Sequence, residues 1–163
     1  MQRFMPVLGA IALALLVTAA VRTTASDQAS AGDTARGKYL VMIAGCNDCH
    51  TPGYMVTAGK VDEKAWLTGS PLGWQGPWGT TYASNLRLLV PKMTADQFMA
   101  HARSDQRRPP MPWFAVRDMT DDDVKAIYAY IKHLGPGGQP APAYVPPGGK
   151  VEGPVAVFPG PPK

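Results

Sequence analysis

Both cysteines of the chain fall in the run Cys46-Asn47-Asp48-Cys49-His50, and a histidine directly follows the second. The C-x-x-C-H spacing is the pattern of c-type haem attachment. On one turn of helix the two thiols lie near each other, within reach of the two vinyl groups of a single haem. His50 is then held under the iron, where an imidazole nitrogen serves as proximal ligand. A chain with this motif must wrap a flat apolar group, and that requirement constrains its fold more than any other feature. A thiol–disulfide role for Cys46 and Cys49 lacks the βαβ context of such oxidoreductases and leaves His50 without a task. Two cysteines alone also exclude a disulfide scaffold, and a Cys46–Cys49 bridge would block haem attachment.

The first residues read as an export signal. Arg3 is the positive end, Val7 to Val17 is a run of apolar residues with Gly9, and small residues follow. Cleavage after Ala20 or Ala25 satisfies a small-x-small pattern. The alternative is a retained anchor, with Met5 to Val21 slightly short of the roughly 20 residues a span needs. Either way the expected location of the folded part is the periplasm, free or anchored to the outer face of the inner membrane, and bacterial haem attachment occurs on that side. The formal charge is +4, and loss of Arg3 and Arg22 leaves 14 basic against 12 acidic residues. That balance lacks the concentrated basic face of a nucleic-acid binder.

The expected organisation is a leader over 1–25, a polar linker over 26–32, a folded domain over 33–136 and a Pro/Gly-rich tail over 137–163. Asp33 is placed to cap a helix that runs through Tyr39, Leu40 and Ile43 to the haem motif. From Thr51 to Leu89 apolar periodicity is lost among Gly, Pro, Ser and Thr, which predicts loop; Trp66, Trp74, Trp78 and Tyr82 make it a loop wrapped around something. Thr94 and Gln97 form a capping box for a helix from Ala95 to about Arg103. Thr120 caps another, with Asp121, Asp122 and Asp123 favouring its positive end. Val124, Ile127, Tyr128, Ile131 and Leu134 follow the helical period, and Gly135-Pro136 ends it. Helices this short bury little apolar surface alone, so a flat apolar cofactor at the centre supplies the missing core.

The opposite face of the iron needs a ligand. Met1 and Met5 lie in the leader, Met42 and Met55 lie too near the haem motif, and Met99 falls inside a helix. Met93 and Met119 each precede a helix cap, where an apolar residue acts as a staple. Met111 lies in Arg107-Arg108-Pro109-Pro110-Met111-Pro112-Trp113-Phe114, stiffened by three prolines that fix φ. A thioether held there favours ferrous iron and raises the potential of a His/Met pair. Met119 is the alternative ligand; His101 and His133 read as surface histidines.

With these pieces the chain resembles a class I, single-haem cytochrome c over about Asp33 to Leu134. The match rests on Gly37 with Tyr39-Leu40, on Cys46-Asn47-Asp48-Cys49-His50, on the late Met111-Pro112 pair and on the helix Asp122 to Ile131. Thr80-Thr81-Tyr82-Ala83-Ser84-Asn85-Leu86 also resembles the cytochrome subunits of membrane-bound bacterial dehydrogenases. The resemblance implies an all-α fold, three or so short helices and long loops around one haem c bound through Cys46 and Cys49. It implies Gly37 and Val41 facing Tyr128 and Ile131 where the first and last helices cross. By similarity to the family's Gly-Pro-x-Leu loop, the Pro71 carbonyl is expected to take the other His50 N–H. Trp74, Trp78, Tyr82, Asn85 and Arg87 are candidates for packing on the haem or binding its propionates.

The function expected is single-electron transfer in the periplasm through a His50/Met111-ligated haem, with no catalysis by this chain. Its partners would be redox proteins: a dehydrogenase, an oxidase or another cytochrome. The first rival is a relay subunit fixed to a dehydrogenase or oxidase, with the tail as docking arm through Val155, Val157 and Phe158; the alternative is that the tail wraps its own domain or stays flexible. The second is a sensing or enzymatic haem with a free sixth site, which requires that Met111 not ligate. Arg103, Arg107 and Arg108 near the Met111 loop read as either a steering patch or a solvated face.

Overall fold

A computed structural model describes residues 33–159, and three of its α-helices begin where a side chain caps them. Residues 33–43 form α1, with Asp33 already helical. Gly45 (φ 71°) turns the chain into α2, Cys46–His50, a left-handed conformation that glycine adopts without strain. A 3₁₀ turn, Glu63–Ala65, precedes β1 (Gly73–Gly76) and β2 (Gly79–Tyr82). Asn85 caps α3, Leu86–Leu89, and a 3₁₀ turn at Val90–Lys92 follows. Thr94 and Gln97 complete their capping box on α4, Ala95–Ser104. The short α5, Trp113–Arg117, leads to α6, Asp121–Leu134, capped by Thr120 and ended at Gly135 with φ 66°. β3 is Val155–Val157. The leader and linker, residues 1–32, lie outside the described residues. Among the described residues no helix is long and apolar enough to cross a membrane.

The core is Leu40, Val41, Trp66, Leu67, Val90, Ala126, Ile127, Tyr130 and Ile131. α1 crosses α6 at Gly37, where an added Cβ would lie 2.0 Å from the Ala126 carbonyl oxygen and 2.7 Å from the Tyr130 Cβ. The expected register is therefore corrected at Tyr128: Gly37 meets Ala126 and Tyr130, one helical turn apart on the same stripe, while Val41 and Ile131 share the buried core. Tyr128, two residues off that stripe, turns to α4 instead. Its ring lies 5.6 Å from that of Phe98, and its hydroxyl donates to the Met93 carbonyl.

The fold is not strictly all-α. A three-stranded sheet of order β2-β1-β3 occupies part of the segment read as loop. β1 and β2 are antiparallel, with Trp74 opposite Thr81, and β1 and β3 are parallel, with Trp74 beside Ala156. The strands are too glycine-rich to show an alternating pattern, and the glycines are needed for close approach. A Cβ at Gly79 would meet the Val145 carbonyl oxygen at 2.4 Å.

The tail packs on this hairpin from both edges. Val145 exchanges two backbone hydrogen bonds with Thr80 (2.8 and 3.0 Å) on the β2 side, and β3 covers the β1 side. Phe158 sets its ring against the indoles of Trp74 (5.9 Å) and Trp78 (5.5 Å). Val155 and Val157 stay exposed, as alternation along a strand requires.

Candidate functional site

α2 carries both thiols and the histidine within five residues, and neither cysteine is disulfide-bonded. Burial pushes the Cys46 thiol up to about 11 and raises that of Cys49. Thiols held protonated are poor nucleophiles for disulfide exchange, which counts against the oxidoreductase reading.

His50 is buried, and its Nδ1 lies 2.7 Å from the Ser84 carbonyl oxygen. A carbonyl only accepts, so Nδ1–H is the donor and Nε2 keeps its lone pair. Burial lowers the imidazole pKa, with the Ser84 bond working against it, so the ring is neutral near pH 7. The expected partner, the Pro71 carbonyl, is corrected to Ser84. The Gly69-Ser70 stretch instead fixes backbone: Gly69 N–H donates to His50 O (2.8 Å) and Ser70 N–H to Ala83 O (3.1 Å). Next to His50 in the chain, the buried Thr51 hydroxyl donates to Asn47 Oδ1 (2.7 Å) and accepts from Leu67 N–H (2.8 Å). The one signal pointing to Ser84 was the Thr80–Leu86 stretch itself.

Beside Cys49 a cleft of about 210 Å³ opens, lined by Thr51, Tyr54, Leu72, Trp74 and Pro154. Among the described residues, the buried side-chain polar atoms without a partner are Asn47 Nδ2 and four on the hairpin: Trp74 Nε1, Trp78 Nε1, Thr80 Oγ1 and Thr81 Oγ1. Buried polar groups are ordinarily satisfied. Trp74 and Thr81 are cross-strand neighbours and so share one sheet face. Donors concentrated this way fit a bound group bearing carboxylates, as haem does. Tyr82 is buried at the end of the same hairpin.

Two of the expected contacts are directed elsewhere. Asn85 uses Oδ1 to cap α3 and Nδ2 to donate to the Gly137 and Gln139 carbonyls (2.8 and 3.0 Å). Arg87, buried, donates to the carbonyls of Leu134 (2.7 Å), Gly135 (2.6 Å), Pro136 (3.3 Å) and Lys64. Both Asn85 amide hydrogens and four of the five Arg87 N–H groups are thus taken up by backbone carbonyls.

Met111 sits half-buried in the turn between α4 and α5, its carbonyl accepting from Trp113 N–H at 2.9 Å. Met119, the alternative, packs against the core. His101 is exposed and paired with Asp105, and His133 is exposed. The nearby arginines are engaged: Arg103 with Asp121 and the Val116 and Arg117 carbonyls, Arg107 with Asp105, Arg108 over the Tyr144 ring. Arg103 and Arg107 thus have carboxylate partners, while Arg108 lies over a neutral ring and keeps its charge.

A profile of the cytochrome c family matches residues 34–135. The chain is 34% identical over 102 residues to the fructose dehydrogenase cytochrome subunit of Gluconobacter japonicus, covering 59% of this chain and 20% of that protein. It is 30% identical over 132 residues to the gluconate 2-dehydrogenase cytochrome c subunit of Pantoea cypripedii, covering 73% of this chain and 27% of that protein. The chain thus spans between a fifth and about a quarter of the length of these relatives. No solved structure matches it.

Proposed function

Starting from the fact that this chain belongs to the cytochrome c family, we propose how its residues hold haem c and serve one-electron transfer. Haem c supplies an iron that takes up and returns one electron. Cys46 and Cys49 provide the two thioether links. His50 Nε2 is the proximal ligand, and the observation that carries this reading is the Ser84 carbonyl on Nδ1. That bond fixes the tautomer and aims the ring, as carbonyl partners of ligating histidines do. Met111 is the sixth ligand, a role supported by its proline-stiffened turn and by Met119 packing with the core. Trp74, Trp78 and Thr81 supply N–H and O–H donors to propionates, with Tyr82 packing nearby, while Asn85 holds the wall in place without touching the group.

The leader 1–25 and linker 26–32 deliver the domain 33–136 and its tail 137–163 to the periplasm, where the partners are redox proteins. A more specific reading is favoured by the two relatives, both named as cytochrome subunits of dehydrogenases: this chain relays electrons within such a complex.

Optical spectra of the exported protein, oxidised and reduced, with carbon monoxide added to the reduced form, test the ligand set. Met111 ligation gives a low-spin spectrum that carbon monoxide changes little, and Met111→Ala opens the site to it. Full carbon monoxide binding by the wild type would remove Met111 as ligand, and absence of haem from cells competent to attach it would overturn the whole reading.

A further inference from the structure

The Met111 turn is thinly anchored. Pro109, Pro110 and Pro112 have no N–H to donate, and the turn's own Trp113 N–H to Met111 O bond ties it only to itself. Arg107 pairs with Asp105 just upstream, so that contact is local too. Arg103 of α4 clamps the far side of the turn through the Val116 and Arg117 carbonyls and Asp121. Among the described residues, the contact that reaches from the turn to the tail is Arg108, whose guanidinium lies 3.8 Å from the centroid of the Tyr144 ring.

Tyr144 is itself fixed to the hairpin. Its hydroxyl donates to the Trp78 carbonyl at 2.8 Å, and a Cβ on Gly79 would come within 3.0 Å of its ring. Its neighbour Val145 is bonded in both directions to Thr80. The hairpin in turn carries Trp74, which lines the cleft with Cys49.

We propose that the tail is a strap in which Tyr144, through Arg108, positions the Met111 turn against the Cys49 side of the site and thereby sets how firmly the Met111 thioether is held. Arg108 and Tyr144 are positioning residues, and neither is a ligand. The proposal rests on Met111 being the sixth ligand. Arginine over an aromatic face is a contact of useful strength even when partly exposed, and an exposed pair three residues from a ligand acts on ligand mobility without disturbing the core.

The test uses full-length haem-loaded protein: wild type, Arg108→Ala, Tyr144→Ala, Tyr144→Phe and the Arg108→Ala/Tyr144→Ala double variant. Carbon monoxide affinity of the ferrous form and the reduction potential are measured beside thermal unfolding. Each single alanine variant is expected to raise carbon monoxide affinity about five-fold, the size of one partly exposed cation–π contact, and to lower the potential. The double variant should match the singles, since both remove the same contact. Tyr144→Phe keeps the ring face under Arg108 but loses the hydroxyl's bond to the Trp78 carbonyl, and should fall between wild type and Tyr144→Ala. Should Tyr144→Ala fold poorly, Arg108→Ala removes only an exposed side chain and leaves every backbone bond of the tail. Unchanged affinity and potential in Arg108→Ala would overturn the strap. Full carbon monoxide binding by wild type would instead overturn Met111 ligation, a result visible before any variant is made.

Discussion

Arg87 and Asn85 are polar residues of the type that binds propionates, and the fold turns both toward backbone carbonyls. Arg87 closes the carbonyl end of α6, where a cation also meets the negative end of the helix dipole, and it reaches Lys64 from the same fork. Lysine cannot replace that geometry, because its three donors radiate from one point while guanidinium presents five in a plane. Arg87→Lys is expected to cost about 2–4 kcal/mol in denaturant unfolding and to leave the optical spectrum unchanged. A shifted spectrum with full stability would assign Arg87 to the cofactor after all. The residue types were legible in the sequence, but their targets were not. A carbonyl acceptor such as that of Ser84, Gly135 or Gly137 belongs to the backbone and leaves no mark in side-chain identity. His50 was readable because the motif around it is made of side chains.

Among elements, those with local instructions were readable and those with distant partners were not. Thr94 with Gln97, and Thr120 with its three aspartates, announce α4 and α6 within a few residues of chain. β1 and β2 hold only Gly, Trp, Gln, Thr and Tyr, and what makes them strands is the neighbour beside each, including a third strand from the tail. Packing between elements also carries a pH dependence. Lys38 of α1 and Tyr130 of α6 both contact Glu63 of the first 3₁₀ turn. Lys38 foremost, then Tyr130, holds the Glu63 carboxyl below its ordinary 4.5, against the opposing effect of burial. A carboxyl depressed in the folded state stabilises above its unfolded value and loses that contribution as pH falls through the folded one. Urea unfolding should therefore show wild type more stable than Glu63→Gln at neutral pH, with the gap closing as pH drops below about 4.5. A gap of constant size from about pH 7 to about pH 3 would show that the charge is not what stabilises the contact.

At the scale of the molecule, the tail is structural wall. Asn85 holds its start, Val145 bridges to Thr80, and β3 with Phe158 covers the outer edge of β1. Ending the chain at Pro136 should lower stability by about 3–5 kcal/mol, read as a fall in the thermal midpoint. A midpoint equal to that of the full chain would mean the tail contributes no wall and is free to dock elsewhere. Proline richness left open whether this segment docks a partner or wraps its own domain, because proline removes the donors by which strands are usually recognised. The parallel pairing of Trp74 with Ala156 also sets an order of folding. β3 must return from far along the chain to lie beside β1, and such non-local parallel pairings form slowly. Until it docks, Trp74 and Trp78 lack Phe158 beside them and the cleft at Cys49 lacks its Pro154 side. The vessel beside Cys49 therefore stays open on one flank while the locally encoded helices are already wound, and the returning strand is what closes it.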